Sequence, residues 1–324
     1  LPKRIEEILN TKPDDLRDHH LVRIDTNILD RITIDAPGKG KTVLARKGDD
    51  WTIASRKNTP ADSGEVRRFI DTLQNEQVTR FVEDVASNLP KYGLDKPQLQ
   101  LTFSSFASEN TAETRAGEQA FATVAFGKVD GDNVYARLAD EPFVVAVRRA
   151  LLDQVSTDPL QWQEMSIFKV KPEQIHRLSV VAKHEATLAR DAKGEWSWVA
   201  GGGTINHTNL QSLLNTLSNL RAVRWVGPTI PQHGVDKPQL AISFTTSPDD
   251  RISHRLFVGS AAGNGTWFAH VDEREGTFVI NDSDFNGLRL PLAIAPGSPP
   301  APAAGANASP VPSASAPPAS TPPR

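Results

Sequence analysis

The sequence predicts an α+β protein built from two tandem copies of a mostly antiparallel sheet, each with one packed amphipathic helix. Three observations predict it. Gly93-Leu94-Asp95-Lys96-Pro97-Gln98-Leu99 returns 141 residues later as Gly234-Val235-Asp236-Lys237-Pro238-Gln239-Leu240. One apolar stripe at helical spacing occurs in each half, Val66, Phe69, Ile70, Leu73 and then Leu210, Leu213, Leu214, Leu217, the pattern of a helix with one buried face. Around each stripe, short segments alternate apolar and polar residues, as in a sheet with one dry and one wet face.

The elements follow in order. Arg31–Ile34, Thr42–Arg46 and Trp51–Ala54 are strand candidates, echoed by Leu178–Val180, Leu188–Arg190 and Trp196–Ser197. The helix comes next. Asp62 stands at an N-cap position with Glu65 three residues on, and Asn206 is its counterpart; a short polar side chain there satisfies free helical N–H groups. Strand candidates Val78–Val82 and Ala222–Val226 lead to the shared Gly-x-Asp-Lys-Pro turn. Leu99, Leu101, Phe103 and Leu240, Ile242, Phe244 then alternate with polar residues. Two further strands are expected in each copy, near Thr123–Phe126 and Val134–Leu138, and near Arg255–Val258 and Thr266–Val271. The offset falls from 141 to 132 between Phe103/Phe244 and Phe126/Val258. Copy one therefore has an insertion, read as an elongated hairpin loop over Ser104–Gln119.

These matches divide the chain into repeat one, 28–165, and repeat two, 166–294. Residues 1–27 correspond to the link between the copies from Leu16/Trp162 onward. They are expected to be the remnant of a preceding repeat or linker, with more sequence upstream of Leu1. Residues 295–324 are Pro, Ala, Ser and Gly with almost no apolar bulk, a composition expected to stay disordered.

Composition narrows the function classes. Hydrophobic content is 38% and charged content 23%, enough for packed cores. Formal net charge is −3, from 36 basic and 39 acidic residues, so no global field draws in nucleic acid. With no cysteine, disulfide, thiol and zinc–thiolate chemistry are excluded. No apolar run reaches the ~20 residues that span a bilayer.

No constellation of residues points to chemistry. His19-His20 is the one adjacent histidine pair, and neighbours on a strand face opposite ways. His207, His233, His254 and His270 have no ligand spacing and are read as solvent-facing. Asp130-Gly131-Asp132-Asn133 lacks the distal Glu of a calcium loop and is read as a hairpin turn. Gly201-Gly202-Gly203-Thr204 precedes a helix without the Lys-Ser/Thr of a phosphate loop, so a strand-to-helix link is expected. Gly259, Gly263 and Gly265 match no dinucleotide fingerprint. Trp51, Trp196, Trp198, Trp225 and Trp267 could form a platform, but Trp51 matches Trp196 and Phe81 matches Trp225, which favours core packing. No catalytic, cofactor-binding or metal residue is named, no cofactor is expected, and the protein is read as not an enzyme.

The repeat resembles the domain of unknown function 4340 family. The resemblance rests on Trp51-Thr52-Ile53, on Pro60-Ala61-Asp62 leading into the Val66–Leu73 helix, and on Tyr92-Gly93-Leu94-Asp95-Lys96-Pro97 with its echo His233-Gly234-Val235-Asp236-Lys237-Pro238. It covers roughly residues 25–290. Such proteins typically have one membrane span and a large extracytoplasmic repeat region, often encoded beside gliding-motility-type ABC transport components. The resemblance implies a non-enzymatic accessory module of an ABC-type transport assembly on the periplasmic side of the inner membrane. Its implied partners are membrane transport subunits, with membrane contact through an N-terminal segment not in this sequence, and no nucleic acid. It carries over no catalytic residue. The alternative is a glycan-, peptide- or lipid-binding module using a groove between the repeats; a hydrolase with an unrecognised site is a third.

Overall fold

A computed structural model describes residues 12–57, 59–106 and 117–294. Residues 1–11, the centre of the Ser104–Gln119 insertion and the Pro/Ala/Ser-rich stretch 295–324 lie outside the described residues. The architecture is α+β, with two antiparallel sheets of nine and eight strands.

The first half contains β1 (Arg31–Ala36), β2 (Gly40–Lys47), β3 (Asp50–Ile53), β4 (Thr59–Pro60), α1 (Ser63–Asn75), β5 (Arg80–Glu83), α2 (Leu89–Tyr92), β6 (Leu99–Phe106), β7 (Glu118–Asp130), β8 (Asn133–Leu138), β9 (Val144–Arg148) and α3 (Ala150–Asp153). The second contains β10 (Arg177–Val181), β11 (Glu185–Arg190), β12 (Trp196–Ala200), α4 (His207–Ser218), β13 (Arg224–Gly227), β14 (Leu240–Thr245), β15 (Ser253–Gly263), β16 (Thr266–Val271), β17 (Arg274–Asn281) and α5 (Asp282–Leu288). The sheet orders are β4-β3-β2-β1-β6-β7-β8-β9-β5 and β12-β11-β10-β14-β15-β16-β17-β13. Apart from the short β4, they agree strand for strand. Register agrees too: Ile32 lies between Leu44 and Phe103, and Leu178 between Leu188 and Phe244.

Each half begins as a three-strand meander that walks to one edge. A helix then carries the chain across the sheet to the opposite edge, and the remaining strands fill in from the middle. The helix can cross because one face of it is apolar. α1 buries Val66, Phe69, Ile70 and Leu73, and α4 buries Leu210, Leu213, Leu214 and Leu217. Burial of such side chains stabilises by roughly 1.5–3 kcal/mol each. Asp62 caps α1 by accepting from the Gly64 and Glu65 N–H groups, and Asn206 caps α4 by accepting from Asn209 N–H. Alternate residues of the strands, among them Ile32, Ile34, Leu101, Phe103, Val124 and Phe126, meet α1 in the first core.

Several details differ from the sequence reading. β9 and β17 were not expected as strands. Their runs Val144–Val147 and Thr277–Ile280 are buried throughout, because both faces are covered, and a strand covered on both faces loses the alternation that betrays one. The edge strands begin later than expected, at Arg80 and Arg224; Val78 and Ala222 instead donate to His19 O and Met165 O at 2.7 and 2.8 Å. The insertion is not simply loop, since Ser104–Phe106 pairs with Glu118–Ala120 and lengthens β6 and β7. From His19 onward, the segment before residue 28 is bonded into the first half. Leu21, Val22 and Ile24 enter its core, and Leu21 N–H donates to Glu76 O at 3.0 Å. Ile167 N–H makes the matching bond to Leu220 O at 2.9 Å. Among the described residues, no helix is long and apolar enough to cross a membrane.

Candidate functional site

The repeated Gly-x-Asp-Lys-Pro-Gln segments occupy equivalent places. Tyr92 and His233 close short helical turns and are buried. The glycines that follow, Gly93 and Gly234, are left-handed with φ of 67° and 69°, a conformation glycine adopts without steric cost. Leu94 and Val235 turn inward. Gln98 and Gln239 then reach across to a neighbouring strand, their side-chain amides donating to Gly127 O and Gly259 O. Gly127 and Gly259 themselves lie flush against the turn. A Cβ on either would stand 2.1 Å from Tyr92 O or His233 O, so no larger residue fits without displacing backbone. The strand register shifts just past both glycines, as at a β-bulge. The segment is thus a clamp that pins a turn to a bulged strand. Asp95, Lys96, Asp236 and Lys237 remain exposed. Beside the first clamp lies an open recess of about 650 Å³, lined by Gly93, Asp95, Lys96 and Lys128 among others.

Behind the clamps the halves diverge in chemistry. In the first half Tyr92 packs edge-on to Tyr135 and touches buried Val144. In the second, His233 stacks on Phe268 at 4.4 Å between centroids, and its Nδ1 lies 2.9 Å from Thr277 Oγ1. Thr277 Oγ1 is also 3.0 Å from Thr229 Oγ1. Burial disfavours the charged imidazole and pushes the His233 pKa down. The expectation of solvent-facing histidines therefore fails at His233. Half of the signal was in the sequence, where His233 takes the place of Tyr92 in the repeat; that Thr277 takes the place of Val144 shows only in the strand register.

The two halves meet along the segment from Ser156 to Val170. Trp162 enters the first core and packs edge-on against Phe69, while Met165, Ile167 and Phe168 belong to the second. Asp62 N–H donates to Trp162 O at 2.8 Å, and Glu164 N–H to Pro60 O at 3.0 Å. From the other side, Trp225 Nε1 donates to Glu164 O at 3.2 Å. Arg274 sends one guanidinium nitrogen to Glu164 O at 3.1 Å and another to Ile167 O at 3.0 Å. Lys57 and Glu275 form an exposed ion pair between the halves. Gln163 is fully buried here, with neither side-chain amide atom hydrogen-bonded; its sequence context gave no hint of this. The groove at this junction is about 410 Å³ and mixes Phe69, Trp162 and Met165 with Glu65 and Arg68.

The other sequence candidates are dispersed. His20 and Arg23 both bond Asp18 and hold its carboxyl well below the usual carboxylate range, with Arg23 the larger influence. Asp130 and Asn133 pair across a two-residue hairpin turn in which Gly131 has φ 61°. Gly201–Gly203 links β12 to α4, with Trp198 Nε1 donating to Gly203 O at 2.9 Å. Gly263 and Gly265 flank the β15–β16 turn. Trp51 and Trp225 are buried in separate cores, and Trp196, Trp198 and Trp267 pack partly buried against the second, so the tryptophans form no common platform. Among the described residues, no group of three or more His, Asp or Glu side chains is placed to hold a metal ion.

Fold and junction together define a class, an α+β protein of two antiparallel sheets joined by a segment built into both cores. Residues 51–233, running from β3 of the first half to the second clamp, match the family described as Domain of unknown function (DUF4340). The chain belongs to that family. No curated protein and no solved structure matches it.

Proposed function

We propose that the protein is a non-enzymatic accessory module of an ABC-type transport assembly, held by a membrane anchor on the periplasmic side of the inner membrane. Its repeats would be residues 28–165 and 166–294, two copies of one sheet with one long helix each. The observation that carries this reading is the junction. A segment shared by two cores and bonded to both halves makes one continuous scaffold, which suits a part that holds other subunits at a distance. The clamps support it as well, because the repeated Gly93/Gly234 and Gln98/Gln239 are used in pinning the turn to the sheet. The expected partners are membrane transport subunits. Affinity purification of the tagged full-length protein from detergent-solubilised membranes tests this. Recovery together with transport subunits is the expected result. Recovery only as a free soluble protein would refute it.

A further inference from the structure

The two halves differ at one face in a way that exposes a seat. In the first half the chain leaves α3 and travels seven residues, from Val155 to Trp162, before Trp162 O closes onto Asp62 N–H. Ser156–Pro159 covers the end of the β1–β2 hairpin on the way. Thr42 Oγ1 donates to Thr157 O at 2.9 Å, and Ala36 and Thr42 are only 5% and 1% exposed. In the second half, Leu292 O closes onto Asn206 N–H in the same manner at 2.8 Å. That return takes only four residues from Leu288. Among the described residues no segment covers the equivalent face, and Ala182 and Ala186, which stand where Ala36 and Thr42 stand, are exposed and half-buried.

What remains is a groove of about 770 Å³ between the β10–β11 hairpin and the end of α5, with Val180, Leu240, Leu290 and Pro291 in its lining. Its cationic side chains are Lys183 and Arg289, with the His184 imidazole beside them, and among the described residues no carboxylate lines it. Arg289 is held at the wall by packing over the Phe285 ring, 5.0 Å from its centroid. We propose that this groove seats an extended, acidic peptide segment of a partner protein, lying where Ser156–Pro159 lies in the first half. Two observations select that occupant. The equivalent face is covered by a stretch of the chain itself, which reaches the hairpin through the backbone carbonyl of Thr157, while the Asp158 carboxylate turns back to Leu160 N–H. The two cations, Lys183 and Arg289, without a lining carboxylate among the described residues call for negative charge. The chain's own residues 295–324 contain no Asp or Glu and lack that complement. This inference is independent of which assembly the protein serves.

The test is a random array of ten-residue peptides probed with the labelled full chain. Bound peptides should be enriched in Asp and Glu flanked by apolar residues. Lys183→Glu combined with Arg289→Glu should weaken the best of them at least tenfold, and Ala182→Trp, at an exposed position, should block them. Thermal melts of these variants matching the parent would tie the loss to the groove. No acidic enrichment, or affinity unchanged in both variants, overturns the proposal. So does binding that emerges only when residues 295–324 are deleted, which would make that stretch the occupant. Retention on anionic phosphatidylglycerol vesicles without peptide binding would assign the groove to lipid and likewise overturn it.

Discussion

At Gly127 and Gly259 a single hydrogen atom separates fit from collision. Gly259→Ala would drive a Cβ into His233 O, 2.1 Å away, and the obstruction is backbone, which cannot swing aside. We expect a loss of about 3 kcal/mol, the upper part of the range for overpacking, in urea unfolding, and a similar loss for Gly127→Ala. His233 gives a second expectation, with a definite sign. Burial holds its pKa below the ordinary value of 6.5, so as pH falls through that value the unfolded chain takes up a proton that the folded chain refuses. Stability is therefore full above it and declines below it, until the folded-state pKa is also passed. Rebuilding the apolar character of the first half with His233→Phe and Thr277→Val should flatten this decline. The difference between the two chains in unfolding midpoint, measured from about pH 7 down to pH 5, isolates the contribution of His233. A parallel fall in both would show that its protonation is immaterial.

Among the elements, the helices were the most legible in the sequence, because a stripe such as Val66, Phe69, Ile70, Leu73 has one physical reading. Their starts were legible as well, since few residues besides Asp62 and Asn206 could serve the free N–H groups. Asp62→Ala removes the acceptor for two of them and should cost about 1 kcal/mol by chemical denaturation, whereas Asp62→Asn should cost much less. Strands hidden on both sides were illegible. Val144–Val147 carries no alternation, and only its partners across the sheet, β8 on one side and Arg80–Glu83 of β5 on the other, identify it as a strand. The lengthened β6–β7 hairpin was misread for a related reason: Ser104–Phe106 and Glu118–Ala120 are rich in polar residues, and their pairing depends on neighbours rather than on their own pattern.

For the molecule as a whole, the two sheets could be inferred from the repeat, but the way they are joined could not. Trp162 read as one residue of a link, and Arg274 as one of many charges; their roles arise only when distant carbonyls converge, as Glu164 O does between Trp225 and Arg274. Trp162→Ala opens a cavity in the first core at the joint, a change that costs about 3–5 kcal/mol in well-packed sites. Calorimetry should then resolve two unfolding transitions in place of one, the first half melting earlier. A single transition merely shifted downward would show that Trp162 does not carry the coupling. The matched closures at Trp162 and Leu292 have a constructive consequence. The polypeptide departs from the second sheet through the same doorway by which it passes from the first sheet to the second. A copy of the stretch beginning at Met165, grafted after Ile294, would thus meet a ready-made threshold, and the scaffold could be lengthened one storey at a time without redesigning what stands beneath.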